Sequence, residues 1–213
     1  MNELLPIATT LQEFANPART ALLIYDMQVG IRRQVPDADQ IVARCVQLVA
    51  SARQVGMRIA FTRHLSMPRP WMGATQYRTA MAWQKTTDPN QVKLPFLRNA
   101  SAATIVPELQ PADEDLVLEK FSMSAFSGTP LEFALRDAGL NAVAIAGIAL
   151  EIGIEPTVRQ ATDLGFVPIV ITDACGSGNK QAGARSLETM RFVGEALFAE
   201  TADFTALLQA DSR

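Results

Sequence analysis

The sequence predicts an α/β protein: a three-layer, doubly wound, mostly parallel sheet flanked by helices, built as a single domain over residues 1–213. Two observations predict this fold. Short apolar runs without helical spacing, typical of strands buried on both faces, alternate along the chain with amphipathic segments of helical period. The first such alternation is a strand–helix–strand unit, TALLIYDM (20–27), the segment 36–56 and MRIAFTRH (57–64). Units of this kind are right-handed and make their strands parallel, so their repetition predicts a doubly wound sheet.

The remaining elements follow in chain order. Apolar residues three or four positions apart predict the helix over 36–56, which ends at Gly56. The segment from about 65 to 112 is irregular, carries both tryptophans and contains TQYRTAMAWQ, which can form a short helix; a connection this long is expected to be functional and to cover the site. Beyond it the pattern predicts strands at 115–120, 141–149 and 166–174, and helices at 129–139, 155–165 and about 183–198.

Composition excludes several classes of function. The net charge is -3, without the clustered Lys/Arg stripe that phosphate-backbone binding requires, so no nucleic-acid partner is expected. No apolar run approaches the roughly 20 residues that span a bilayer, and the N-terminus does not resemble an export signal, which together predict no membrane association and a cytoplasmic protein. One histidine and two cysteines do not suffice for a closed zinc site, so neither a metal nor a cofactor is expected.

Polar residues at the carboxyl ends of the predicted strands are the candidate site residues, because open parallel sheets bind small molecules at that edge. These are Asp26, Arg63 with His64, Lys120, and the segment ALEIG (149–153). A buried acid next to a buried amine can serve as proton donor or acceptor near neutral pH. From position alone, a plain salt bridge that closes the sheet explains the pair equally well.

Four blocks resemble the isochorismatase-like hydrolases in order and spacing: ALLIYDMQ, EKFSMSAFSGTPL, AIAGIALEIGIEPTVRQATDLGF and VITDAC, over about residues 20–198. The resemblance implies catalytic roles for Asp26 and Lys120 and places Gly153 where most relatives carry a nucleophilic cysteine. Isochorismatases are similar in having glycine there. By that likeness, Asp26 would protonate the carbon of a vinyl ether, Lys120 would orient Asp26, and water would capture the cation. The resemblance also implies an oxyanion-binding corner near Ala149 and Gly153, and a homodimer or homotetramer.

Other residues are candidates for binding a small-molecule substrate. Gln28 is on the same face as Asp26 if the strand continues, although a turn residue is an equal interpretation. His64 is expected at the mouth of the cleft. The aromatic residues Trp71, Trp83 and Phe126 can form an apolar wall, with core packing as the alternative. A substrate carboxylate would be bound by an arginine, of which the candidates are Arg32, Arg33, Arg63, Arg69 and Arg78.

Three further features keep alternative functions open. Cys45 is expected in the core, and Cys175 is a weak candidate for a displaced nucleophile. Glu151 and Glu155 flank Gly153, and an acid there either disfavours an anionic substrate or positions water. The alternatives to vinyl ether cleavage are an amide or ring-opening hydrolase that uses water activated by Asp26, and a non-catalytic binding protein.

Overall fold

The computed structural model describes residues 7–210 and contains one six-stranded sheet in which all paired strands are parallel. The strands are β1 (Thr20–Tyr25), β2 (Ile59–His64), β3 (Leu116–Lys120), β4 (Ala142–Ile148), β5 (Val167–Gly176) and β6 (Leu197–Ala199). The predicted doubly wound fold is therefore confirmed, and every predicted strand is present within a few residues of its expected bounds.

Helices cover both faces of the sheet. They are α1 (Leu11–Phe14), α2 (Val29–Arg32), α3 (Ala38–Gln54), α4 (Ala74–Gln84), α5 (Leu131–Asp137), α6 (Glu155–Asp163), α7 (Lys180–Val193) and α8 (Thr201–Ala210). The long excursion between β2 and β3 contains α4 and short 3-10 turns at Arg69–Trp71, Pro89–Gln91, Ser101–Ala103 and Pro107–Leu109. Within residues 7–210, no helix has the length and apolar character needed to cross a bilayer.

In the strand order β3-β2-β1-β4-β5-β6, successive strands are added to one side of β1 as far as β3 and to its other side from β4 onward, so the strand order reverses between β1 and β4. In open parallel sheets the crevice outside the carboxyl ends of the strands at such a reversal is where ligands bind. The residues that follow β1 and β4 are Asp26 and Ala149. The topology alone thus brings these two positions to the same crevice.

Two apolar clusters sandwich the sheet, because successive residues of a strand point to opposite faces. Leu22 and Ile24 of β1 pack in the cluster that contains the buried side of α3, including Cys45 as expected. Leu23 and Tyr25 pack on the other face, in the cluster that contains Ile154 and residues of α5 and α6. Tyr25 therefore projects toward α6 from the last position of β1.

The end of the chain differs from the prediction. The helix predicted over 183–198 ends at Val193, since Gly194 adopts φ 73°, a left-handed conformation that terminates helices. The chain then forms the short strand β6 and the helix α8, both missed. A three-residue strand is too short to show the alternation from which strands are predicted.

Candidate active site

Asp26 lies directly after β1, at the carboxyl edge of the sheet, with only 4% of its surface exposed. Its φ of 45° is uncommon for a residue other than glycine and turns the chain sharply out of the strand. Thr62 fixes this turn, since its hydroxyl donates to Asp26 Oδ1 at 2.7 Å and accepts from the Asp26 amide at 3.1 Å. The carboxylate is therefore held in one orientation.

Lys120 ends β3 and reaches Asp26 across β2. Its Nζ donates to Asp26 Oδ2 at 2.7 Å, to the Tyr25 hydroxyl at 2.8 Å and to the Ser122 carbonyl at 3.1 Å. Only 1% of the residue is exposed, and burial lowers the pKa of the ammonium although Asp26 opposes this effect. The lowered pKa of Lys120 makes its proton more available to the adjacent carboxylate.

Tyr25 is a site residue that the sequence reasoning missed. Its hydroxyl accepts from Lys120 and donates to the carbonyl of Met123. Burial, followed by the charge of Asp26, raises the pKa of the phenol well above its usual range, so the hydroxyl stays neutral. A hint was available, because Tyr25 is the one polar-tipped side chain in ALLIY (21–25), the apolar residues that directly precede Asp26.

The phenol of Tyr25 occupies the space beside Gly153. A Cβ added to Gly153 would lie 1.7 Å from the Tyr25 hydroxyl oxygen and 2.2 Å from Cζ, far inside contact distance. A side chain at position 153 therefore cannot coexist with Tyr25 in this arrangement. The large side chain of Tyr25 fits at this place only because Gly153 has no side chain.

The corner between β4 and α6 contains a cis peptide between Ile148 and Ala149, followed by a π-helical turn over Leu150–Ile154. The Gly153 amide donates to the Ala149 carbonyl at 3.0 Å, and the Thr157 hydroxyl donates to the Gly153 carbonyl at 2.6 Å. The Gly153 amide is thus engaged inside the turn, which does not support the oxyanion-binding role expected for it. Ala149 lines the cavity described next.

Two adjoining cavities lie over this edge of the sheet. The inner one, of about 300 Å³, exposes Tyr25, Asp26, Lys120 and Ala149. The outer one, of about 360 Å³, lies between the end of β2 and the excursion that contains α4. Both share the lining residues Gln34, His64, Trp83, Phe96 and Met123. The excursion between β2 and β3 therefore covers the site, as its length predicted.

Of the two predicted binding residues His64 and Gln28, only His64 lines the cavities. His64 lines both cavities, and its ring lies edge-on to Phe96. Gln28 is fully buried and does not line either cavity; it accepts from the His64 amide at 2.7 Å and donates to the carbonyls of His64 and Ala103 at 3.0 and 2.9 Å. Gln28 therefore ties the end of β2 to the excursion and positions His64, rather than facing a ligand.

Three other predicted binding residues are not brought to the cavities. Phe126 stacks on Phe166 in the core, with ring centroids 5.7 Å apart. Trp71 is 79% exposed, and Arg63 forms an ion pair with Glu119. None of the three lines either cavity. The direction of a side chain at a strand end or in an irregular segment depends on packing that the sequence does not display.

Neither cysteine lines the cavities. Cys175 is buried on β5, where its Sγ lies 3.5 Å from the carbonyl oxygen of Ile145, and burial raises the pKa of its thiol. Burial also raises the pKa of Cys45 to about 12. Because the thiolate is the nucleophilic form, the described residues supply no activated cysteine at this site.

The environment of His64 predicts a pH dependence of stability. Burial lowers the pKa of His64 below its usual value near 6.5, more than Asp26 raises it. As the pH falls below that usual value, the unfolded chain binds a proton at His64 that the folded protein resists, so the free energy of unfolding decreases. We expect this decrease between pH 7.5 and 5.5, measured by urea unfolding, to be smaller in His64→Gln. Equal decreases in both proteins would contradict the prediction.

An all-parallel α/β sheet with a buried carboxylate–ammonium pair beside a cavity, at the point where the strand order reverses, is typical of doubly wound proteins that bind small molecules. The model of the Isochorismatase domain matches residues 20–205. An uncharacterized isochorismatase family protein of Bacillus subtilis is 31% identical over 82% of this chain and 85% of its own length. A ureidoacrylate amidohydrolase of Pantoea ananatis is 27% identical over 74% of this chain and 69% of its own.

Among solved structures, a cysteine hydrolase from Pseudomonas syringae superposes with a TM-score of 0.78 at 20% identity, covering 99% of this chain and all of that one. This likeness concerns the fold. With the match of the family model, it confirms the resemblance inferred from the four sequence blocks. The chain belongs to the isochorismatase family and is a hydrolase.

Proposed function

We propose that this protein hydrolyses a vinyl ether, or a comparably activated bond of a small molecule, without a covalent enzyme intermediate. The observation that carries the proposal is the Tyr25 phenol, which fills the space into which a nucleophilic side chain at position 153 would project. Covalent catalysis needs such a side chain next to its activating base. The pair of Asp26 and Lys120 remains, 2.7 Å apart, as a means of proton transfer.

In this mechanism Asp26 acts in its protonated form, after transfer of the proton from Lys120. The double bond of the vinyl ether takes that proton on its terminal carbon, and the other carbon becomes an oxocarbenium ion. Water adds to this carbon and returns a proton to the Asp26 carboxylate. The resulting hemiketal or hemiacetal collapses to a ketone or aldehyde and an alcohol, and the proton of its hydroxyl passes to the departing oxygen. Lys120, neutral after its proton transfer, can still donate a hydrogen bond to the carboxylate that forms, and the hydrogen bond from Thr62 holds that carboxylate in place.

A second candidate is hydrolysis of an amide by water that Asp26 activates. The likeness to a ureidoacrylate amidohydrolase favours it. Amide hydrolysis also needs hydrogen-bond donors for the developing oxyanion. One candidate donor, the Gly153 amide, already donates a hydrogen bond to the Ala149 carbonyl. The vinyl ether reaction develops positive charge at carbon instead and does not need that donor. We therefore rank the vinyl ether reaction first.

The test is turnover in deuterated water with neutral vinyl ethers, small amides and cyclic imides as candidate substrates. We expect the ketone or aldehyde from a vinyl ether to carry one solvent deuteron on the carbon that was protonated, in a sample quenched early enough to limit later exchange. Intact-protein mass spectrometry should show no acyl adduct during turnover. Cleavage of amides only, or an adduct that accumulates in a pre-steady-state burst, would overturn the proposal.

A further inference from the structure

The inner and outer cavities together suit an elongated ligand. They share Trp83 and Phe96, two aromatic residues of the excursion that line both cavities. The inner cavity also exposes apolar side chains, among them Ile31, Val35 and Ile148. A ligand with its reacting bond at Asp26 would therefore place its remaining part against aromatic and aliphatic surface.

The formal charges that line the inner cavity cancel. Asp26 and Lys120 are its charged lining residues within the described chain, and they neutralise each other at 2.7 Å. His64 is the other basic group, and burial lowers its pKa toward the neutral form. The outer cavity adds Lys93, which is exposed to solvent. Inside the cavities there is thus no buried cation left over for a carboxylate.

The arginines that could have bound a carboxylate are used elsewhere. Arg32 pairs with Asp39 and Glu108, and Arg69 donates to a backbone carbonyl. Arg63 pairs with Glu119. The remaining two candidates lie outside the cavities: Arg33 lines a separate groove, and Arg78 lies on the side of α4 opposite to the residues that line the outer cavity, Thr75, Gln76, Thr79, Ala80 and Trp83.

Glu151 adds negative charge near the inner wall. Its Oε1 accepts from the Asn179 amide at 2.8 Å and lies against Gly178, which lines the inner cavity. Its Oε2 is buried without a hydrogen-bond partner, and Glu151 has no ion pair with any residue in the range 7–210. An acid at this place disfavours an anionic ligand, which is one of the two roles that the sequence left open for Glu151.

We propose that the substrate is an uncharged small molecule with an apolar or aromatic substituent, and that this site selects against carboxylates. The inference rests on the proposed function, since it assumes that the bond to be cleaved lies at Asp26 and Lys120. An anion that enters the inner cavity loses water without gaining a cationic partner, whereas an apolar group gains contact with Trp83, Phe96 and the aliphatic wall. The doubly anionic isochorismate is therefore not the substrate.

The test compares the binding of neutral ligands with that of carboxylates that have the same carbon framework. We would titrate benzamide against benzoate, phenylacetamide against phenylacetate, and the saturated benzyl ethyl ether against its para-carboxylate, by calorimetry on the wild type, in which the Asp26–Lys120 pair is intact. Product analysis would check that no ligand is turned over during the titration. We expect the neutral member of each pair to bind at least tenfold more tightly. Tighter binding of the carboxylates, or no binding of any neutral member, would overturn the proposal.

Adding a cation should reverse the preference. Gln34 is exposed at the border of both cavities, so Gln34→Arg should bring the carboxylate member at least to equal affinity. Gln40→Arg adds the same charge on an exposed position of α3 outside the cavities and should leave the preference unchanged. A wild-type preference for carboxylates that disappears in Lys93→Gln would assign binding to Lys93 and contradict the proposal.

These outcomes separate the two proposals. Selective binding of neutral ligands without hydrolysis of any vinyl ether would refute the proposed reaction and leave the ligand class intact. Hydrolysis of a carboxylated vinyl ether in preference to its neutral counterpart, with deuterium in the product, would support the proposed reaction and refute the proposed ligand class.

Discussion

Replacing Asp26 by asparagine is expected to lower kcat/KM by about 10²- to 10⁴-fold, the range that a positioned acid or base contributes. Asparagine keeps the size of the side chain and can still accept from Thr62, but its amide does not exchange protons with Lys120. The side chain is buried and its Oδ1 can still accept from Thr62, so the turn after β1 should survive the change. The new amide NH₂ takes the place of the oxygen that accepts from Lys120, so that hydrogen bond is lost. Steady-state kinetics would measure the decrease in kcat/KM, with whichever of the candidate vinyl ethers, amides and imides the wild type turns over.

Folding must be checked beside activity, because removing one charge of a buried pair leaves the other uncompensated. Urea unfolding of Asp26→Asn gives the free energy of unfolding and shows whether the protein remains native under assay conditions. Asp137→Asn, at an exposed position on α5, is a charge-matched control that should retain full activity. Activity of Asp26→Asn within about tenfold of wild type, outside the range expected for a lost acid, would exclude both the vinyl ether mechanism and amide hydrolysis by activated water.

The fold was largely predictable because the strands are buried on both faces. Such strands appear as continuous apolar runs, and TALLIY and AVAIAGI are buried at every position. The parallel order followed from the alternation with helices. The end of the chain was harder, because the pattern of α7 runs without a gap in sequence through Gly194 into β6. The end of α7 depends on one residue, Gly194, in a left-handed conformation.

The core of the candidate site was also predictable in part. Strand ends in a parallel sheet share one edge, and the structure brings Asp26 and Lys120 together there as expected. What the sequence did not reveal is which way nearby side chains point. Phe126 turns into the core, whereas Tyr25 follows the alternation of β1 to the face toward α6 and so meets Gly153. The contact between Tyr25 and Gly153 depends on how three elements pack together, so no local pattern in the sequence indicates it.

The contact between Tyr25 and Gly153 predicts that Gly153→Cys lowers the free energy of unfolding by about 1–3 kcal/mol or more, the cost of overpacking a core. Adding a thiol at position 153 would therefore not by itself provide amidase activity. The new Cβ would lie 1.7 Å from the phenol oxygen, so the ring must move and give up its hydrogen bonds with Lys120 and Met123. Urea unfolding would measure the change. Gly73→Cys is the control, since its Cβ would meet no atom within 4 Å, and should cost less than about 0.5 kcal/mol.

A double-mutant cycle with Tyr25→Val distinguishes this steric cause from a general intolerance of position 153. Tyr25→Val alone should be destabilised by the cavity that it leaves and by the loss of an acceptor for Lys120. In Tyr25→Val/Gly153→Cys the thiol would occupy the vacated space, so the loss of stability should be smaller than the sum of the two single losses by about 1 kcal/mol or more. Additive losses would show that the phenol does not exclude a side chain at position 153. The proposal of a cysteine-independent reaction would then lose its main support, because the Tyr25 phenol would not be what keeps a nucleophilic side chain from position 153.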